Sequence, residues 1–375
     1  MTTPAVRLFD PLSLRGVALR NRIVVSPMCQ YSADEGRATD WHLVHWGQFL
    51  QSGAGMFCIE ATAVTPDGRI TPGCLGLWDD ATEDALGDRL ARARRQAPPM
   101  PVTLQLAHAG RKASSARPWE GGALIPPAAG GWTPLAPSAV AYADDEAVPA
   151  ALDAAGLARV IAAFADAARR AGRIGIDAIE LHMAHGYLLH EFLSPLANRR
   201  DDAHGGSFDN RTRFPLAVFD AVRAAWSADK PLGVRVSATD WVEGGWTLEE
   251  TIDLARRLRA RGADWIDVSS GGVSPKQKLI LGPGYQVPFA RAIRSATGMT
   301  TMAVGLITDA RQADEIIAAG AADMVALARA MLWDPRWPWH AAAALSGTVN
   351  GPQPYWRALP KEAATVFGDA RIRQR

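Results

Sequence analysis

The amino-acid sequence predicts a closed α/β fold: a (β/α)8 TIM barrel with an N-terminal hairpin and a long loop excursion after its third strand. Three observations carry that expectation. Eight short, nearly all-apolar runs recur along 375 residues, as strands buried on both faces require. Amphipathic segments with helix start and stop signals separate them. No linker or short-period repeat divides the chain, so residues 1–375 read as one domain. Eight evenly spaced units fit closure better than a doubly wound open sheet.

The elements follow in order. "LFDPLSLRGVALRNR" reads as a hairpin that plugs the barrel bottom. The strands are expected at 21–28, 55–64, 101–108, 176–183, 231–238, 264–271, 300–307 and 323–329. "TLEETIDLARRLRARG" (247–262) has the spacing of a helix capping box at Thr247 and Glu250 and closes on Gly262. "DARQADEIIAAG" (309–320) repeats that grammar with an acidic start and a glycine stop. The Gly- and Pro-rich stretch at roughly 110–150 reads as an excursion over the barrel mouth.

Composition narrows the function classes. Forty Lys+Arg against 39 Asp+Glu leave a net charge of +1, with no footprint for nucleic acid or an anionic membrane. Cys29, Cys58 and Cys74 are too few and too scattered for a disulfide framework, an iron–sulfur cluster or a zinc knuckle. The start lacks the pattern of a secretory signal and no apolar run is long enough to span a bilayer, so a cytoplasmic protein is the expectation.

Chemistry in such a barrel gathers where strands end at the C-terminal face. Those ends carry Ser26-Pro27-Met28-Cys29, Ala61, Gln105 with His108, His182 with His185, Arg235, Ser269-Ser270, Gly305 and Ala328-Arg329. A guanidinium inside "LGVRVSA" needs an anionic or electron-rich partner, either a ligand or a core carboxylate such as Glu180 or Glu60. Gln105 can donate and accept together, which suits the edge of a heterocycle. Gly305 and Ala328-Arg329 offer backbone N–H groups and a cation where barrel enzymes hold a phosphate. A phosphorylated heterocycle fits, flavin mononucleotide (FMN) among them; no G-x-G-x-x-G follows the first strand to support a Rossmann site.

"HMAHGY" places His182, His185 and Tyr187 at one strand end. Three readings stand: metal ligands for a barrel lyase or hydrolase, a core histidine beside a functional one, or paired N–H donors aimed at one ligand oxygen with Tyr187 supplying a proton. HExxH spacing is absent, and Glu191 is the nearest acidic candidate for a third ligand. Over a redox cofactor, the paired-donor reading accounts for all three residues. Cys29 alone is a small buried hydrophobe; beside a flavin its thiol could tune the ring.

Read in order, "NRIVVSPMCQYSA", "EATAVTPDGRITPG", "QLAHAGRKAS", "HMAHGYLLHEFLSPLANRRDDAHGGSFDNRTRF", "VRVSATDW", "DVSSGG", "PGYQVPFA", "AVGLITDARQA" and "LARAMLWDP" resemble the Old Yellow Enzyme family of FMN-dependent ene-reductases, in its thermophilic-like branch. The resemblance implies FMN contacts at Ser26, Pro27, Met28, Cys29, Ala61, Gln105, Arg235, Gly305, Ala328 and Arg329. It implies substrate contacts at Tyr31, His182 and His185, with Tyr187 as proton donor. It further implies NADPH or NADH as reductant, an activated alkene or quinone as substrate, and a homodimer or homotetramer. The tail at about 348–375 would then lie at a subunit interface and send Arg357 into a neighbouring site. Met183, Ala328 and His204 depart from the family's commoner residues: Met183 is expected to narrow the pocket wall, Ala328 keeps its N–H for the phosphate, and the loop of His204 reads as structural. The rival expectations are a metal-dependent barrel using His182 and His185, and a flavin-binding barrel without catalysis.

Overall fold

A computed structural model describes residues 7–368; the last seven residues of the expected interface tail lie outside the described residues. The chain opens with the antiparallel pair β1 (Leu12–Leu14) and β2 (Val17–Leu19). Then come β3 (Ile23–Val25), α1 (Asp40–Leu50), β4 (Met56–Ala63), α2 (Asp80–Arg94) and β5 (Val102–Ala107). The expected excursion follows, and its only strands among the described residues are the two-residue pair β6 (Leu135–Ala136) and β7 (Ala150–Ala151). After α3 (Ala154–Arg173) the order is β8 (Ala178–Met183), α4 (Leu188–Leu193), α5 (Phe208–Ala225), β9 (Leu232–Ser237), α6 (Leu248–Ala260) and β10 (Trp265–Ser269). The chain closes with α7 (Val287–Thr297), β11 (Thr300–Val304), α8 (Ala310–Ala318), β12 (Met324–Leu327), α9 (Arg329–Trp333) and α10 (Trp337–Leu345).

Strands β3, β4, β5, β8, β9, β10, β11 and β12 close into one parallel barrel, with β12 pairing back onto β3. Alternation along each strand explains why their sequences read as apolar throughout. Ile179, Leu181, Val234, Val236, Ile266 and Val268 point outward into the core shared with the helices. Val24, Met56, Ala178, Trp265, Met302 and Met324 point inward and fill the lower barrel, where Leu14 and Leu19 of the hairpin close it as expected. Above that apolar layer the inward positions turn polar.

The capping box at Thr247 and Glu250 forms as the spacing predicts, and Asp309 caps α8. The first barrel strand is shorter than the sequence suggests, because Pro27 has no N–H to extend the ladder. Ser26 still donates to the Leu327 carbonyl at 3.0 Å, so Pro27–Cys29 leave the strand directly over the mouth. No helix among the described residues is long and apolar enough to cross a membrane. A cavity of about 810 Å3 lies at the opposite end, between the hairpin and the segments entering β4, β5 and β8.

Candidate active site

Strand register sets the polar layer. Gln105 stands beside Glu180, His182 beside Arg235, and Arg235 beside Asp267. Arg235 is 7% exposed, with Nε 3.1 Å from Asp267 Oδ2. Its Nη1 reaches Ser26 Oγ at 3.4 Å, which leaves guanidinium N–H groups for an acceptor from outside. The core partner expected for Arg235 was Glu180 or Glu60, and the register supplies Asp267 instead. Glu180 accepts from Gln105 Nε2 at 2.8 Å and Trp265 Nε1 at 3.2 Å. Glu60 accepts from the Gln30 N–H at 2.7 Å and lies 3.5 Å from His42 Nε2. Burial pushes the Glu180 carboxyl up to about 7, with neighbouring Asp267 adding to the rise and Arg235 opposing it. Burial likewise raises Asp267 against the pull of Arg235.

The histidine pair is oriented by what each ring already holds. His182 Nδ1 accepts the Ala184 N–H at 3.3 Å, which assigns its proton to Nε2. His185 Nε2 lies 2.7 Å from Ser269 Oγ. The Ser269 hydroxyl has two acceptors in reach, His185 Nε2 at 2.7 Å and Gln286 Oε1 at 3.4 Å, the latter already taking the Ser270 hydroxyl at 2.6 Å; donation to the nearer one assigns the His185 proton to Nδ1. The two proton-bearing nitrogens face each other at 3.3 Å in nearly perpendicular rings. Two donors at that separation lack an acceptor between them. Burial, then Arg235, holds both imidazoles well below their ordinary range, so they are neutral at pH 7.

The loop that carries them is held by close approach. His185 sits at φ 60°, a left-handed conformation costing roughly 1–2 kcal/mol in a residue with a side chain. Its N–H donates to Ser237 Oγ at 2.9 Å, and Ser237 donates to the Gly271 carbonyl at 2.8 Å. A Cβ on Gly186 would meet the Gly272 oxygen at 2.2 Å, and one on Gly272 would meet His185 Cα at 2.5 Å. Glycine at both positions lets the loops after β8 and β10 touch. Lys112 Nζ then ties the His185 and Gly272 carbonyls at 2.9 and 3.1 Å, 5.1 Å from the Tyr187 ring centre. Behind the loop, His190 Nδ1 accepts the Gly186 N–H at 2.8 Å while its Nε2 lies 2.9 Å from Asp240 Oδ1.

The remaining expected residues divide. Tyr187 caps α4 with its ring 5.0 Å from that of His182, and burial raises its hydroxyl well above the ordinary value. Half-buried Pro27, Met28, Cys29 and Tyr31 line the path out of β3, Ala61 lies in β4, and burial raises the Cys29 thiol. Gly305 follows β11, and Ala328-Arg329 follow β12 at the start of α9. His108 does not join the histidine pair: its Nδ1 accepts the Gly110 N–H at 3.1 Å and its Nε2 faces Asp67 at 3.9 Å, a brace for the loop after β5. Glu191 is not a third ligand for the histidines; Oε1 accepts the Arg111 N–H at 2.8 Å. Among the described residues no three His, Cys, Asp or Glu side chains gather closely enough to share a metal ion. Arg357 is exposed on the C-terminal segment. Met183 is fully buried in the helix-side core and does not narrow the mouth. Sequence reasoning missed Asp267, Lys112, Ser237 and the His190–Asp240 pair; a charged or polar residue at an inward strand position was the available signal for Asp267 and Ser237.

A parallel barrel whose mouth holds a partly unpaired guanidinium, a buried amide and two converging ring N–H groups suits a flat, electron-accepting heterocycle, as in the barrel flavin oxidoreductases. The chain belongs to the NADH:flavin oxidoreductase / NADH oxidase family, whose profile matches residues 7–347. It is 43% identical over 352 residues to an NADPH dehydrogenase of Geobacillus sp. (strain WCH70), covering 93% of this chain and 98% of that one. It is 42% identical over 354 residues to an NADPH dehydrogenase of Bacillus licheniformis, covering 94% and 98%. Morphinone reductase has the same fold, with a TM-score of 0.75 at 26% identity over 94% of this chain and 92% of the other. The resemblance to Old Yellow Enzyme drawn from the motifs holds, and the protein is an FMN-dependent NAD(P)H oxidoreductase.

Proposed function

We propose that the protein works as a single flavin-binding unit that reduces activated C=C bonds in enones, enals and maleimides, with quinones and nitro compounds as further acceptors. Bound FMN supplies the capacity to take hydride from NADPH or NADH and release it to an electron-poor carbon. Gly305, Ala328 and Arg329 would hold its phosphate with N–H groups and a cation, and Ser26, Pro27, Met28, Cys29 and Ala61 would line its ring. Arg235 and Gln105 would meet the polar edge of the ring, where the guanidinium would stabilise negative charge.

The converging N–H groups of His182 and His185 carry this reading. They hold a carbonyl or nitro oxygen between them, draw electron density from the conjugated alkene, and keep their protons because both rings stay neutral. Tyr31 packs against the bound substrate. Tyr187, its hydroxyl protonated throughout the physiological range, gives that proton to the α-carbon. Each aligned donor to the developing oxyanion is worth ~3 kcal/mol, on the order of a hundredfold in rate.

The exposed side chains of Trp41, Val44, Trp333 and Tyr355 support a contact with a second copy, as homodimer or homotetramer, through which Arg357 reaches the partner's mouth. An anaerobic titration tests the function: the yellow protein bleaches with NADPH or NADH and recovers its colour with an enone. A protein that stays yellow with both nicotinamides, or a colourless one whose activity a chelator abolishes, contradicts it.

A further inference from the structure

Two carboxylates and one guanidinium face the interior of the barrel, Asp267 paired with Arg235 and Glu180 held by Gln105 and Trp265. Glu180 on β8 and Asp267 on β10 flank β9: Asp267 stands opposite Arg235, and Glu180 stands opposite Gly233, one inward position below. All three are nearly solvent-free, with Asp267 at 0% exposure. The apolar layer of Trp265, Met302 and Met324 seals them below. Gly233 makes room for the Trp265 ring, because a Cβ there would stand 1.9 Å from it. Hydrogen bonding is unequal: Glu180 has two donors, whereas neither oxygen of Asp267 has an aligned one despite the 3.1 Å approach of Arg235.

With both carboxylates ionised the cluster carries one net negative charge in a sealed, low-dielectric space. With one proton bound it is neutral. Carboxylates that share a site ionise one at a time, and the proton belongs to the pair rather than to either member. Besides Arg235, the groups facing the pair are Cys58 from β4, Gln105 from β5 and Trp265 from β10, with His182 one turn of the pleat above. Burial keeps the Cys58 thiol and the His182 ring neutral, so neither exchanges a proton near pH 7.

We propose that Glu180 and Asp267 form a one-proton store beneath the flavin, taking up a solvent proton when hydride arrives above Arg235 and returning it when hydride leaves. The balance closes. Hydride from the reduced nicotinamide breaks its C–H bond there and adds one negative charge to the site; one proton from water joins a carboxylate oxygen and restores the charge. On transfer of hydride to the alkene the charge departs, and the carboxyl O–H releases its proton to solvent. The pair thus acts through Arg235 as a positioning element, and the inference rests on FMN lying above that guanidinium.

The test is proton uptake by the yellow protein on anaerobic reduction with NADPH, followed with a pH indicator in weak buffer from pH 5.5 to 9. Hydride transfer by itself consumes no solvent proton. The store predicts uptake approaching one proton per flavin near neutral pH, falling away on both sides. Glu180→Gln and Asp267→Asn each abolish it, while Lys112 and Glu191, the other buried groups that titrate near neutrality, remain in place. If either variant fails to fold, the reduced-minus-oxidised infrared difference spectrum of the wild type decides, because a carboxylate that takes up a proton gains a carboxyl C=O band and a ring nitrogen does not; no such band overturns the store. Uptake that is absent at every pH, or that survives both substitutions, overturns the store. A protein that binds no flavin overturns the functional reading as well, whereas one that bleaches normally without uptake overturns the store alone.

Discussion

His182 Nε2 and His185 Nδ1 face each other at 3.3 Å, and each ring's other nitrogen is already occupied by Ala184 N–H or Ser269 Oγ. Two donors aimed into one gap make a binding site for an oxygen that carries growing negative charge. His182→Ala and His185→Ala should each slow enone reduction by about a hundredfold, and weaken binding of a phenol read from flavin absorbance. The double variant should lose less than the product of the two, because the donors share one oxygen. Both variants should keep their flavin.

Ser269 sets the tautomer of His185, so its removal should act through that ring. Ser269→Ala frees Nε2 to carry the proton and leaves Nδ1 without it for part of the population. Turnover should fall by ~5-fold, the equivalent of one neutral hydrogen bond of about 1 kcal/mol, while nicotinamide-driven bleaching is unchanged. Equal loss in both half-reactions would contradict this role.

Glycine 186 has no room for a side chain. Gly186→Ala puts a methyl group 2.2 Å from the Gly272 oxygen in a residue at φ 72°. The left-handed conformation alone costs roughly 1–2 kcal/mol, and the clash must part the loops that Lys112 ties together. Denaturant unfolding should show a loss at or above that figure, with a raised KM for the alkene. A variant as stable as the parent would show that the loops do not touch in solution.

Arg235→Met removes the cation paired with Asp267, one inward position above Glu180. Stranding a buried charge costs about 3–5 kcal/mol, so the variant should be markedly destabilised and should purify without flavin. Arg235→Met combined with Asp267→Asn should recover part of the stability and none of the flavin.

The buried groups also fix how stability varies with pH. His45 and His108 are lowered to about 4 by burial, and His182 and His185 lie well below their ordinary range. Below about 6.5 the unfolded chain binds protons at these rings that the fold refuses, so they make stability rise with pH there. Glu180 and Glu191 are raised to about 7 and 8 by burial. From about 4.3 up to those values the fold holds protons that the unfolded chain has lost, so they make stability fall as pH rises. The histidines no longer contribute above about 6.5, and Lys112, lowered to about 8 by burial, opposes the carboxyls only as pH approaches 8, so the midpoint of thermal unfolding should decline from about 6.5 to about 7.5 and level off beyond. Glu191→Gln should flatten that decline; a midpoint that climbs between about 6.5 and 7.5 would contradict the assignment.

The barrel was legible because its strands are apolar on both faces, outward toward helices and inward toward one another, and because Thr247, Glu250 and Asp309 announce helix starts. Arg235 and the paired histidines stood out as polar residues in apolar runs. Their partners did not. Asp267 reaches Arg235 through a neighbouring strand that follows about thirty residues later in the chain, and only barrel closure sets that register. Lys112 meets His185 where two loops cross, and ring tautomers depend on Ser269 and Ala184, which composition does not mark. His108 also stands at a strand end, yet Gly110 and Asp67 turn its ring away from the mouth.

The most direct measurement mixes enone with protein already reduced by NADPH, under argon, and follows the return of yellow colour in the parent and in the His182→Ala/His185→Ala variant. The account predicts that both bleach at similar rates and that recovery in the variant is slower by two orders of magnitude or more. Recovery at the parental rate would contradict it.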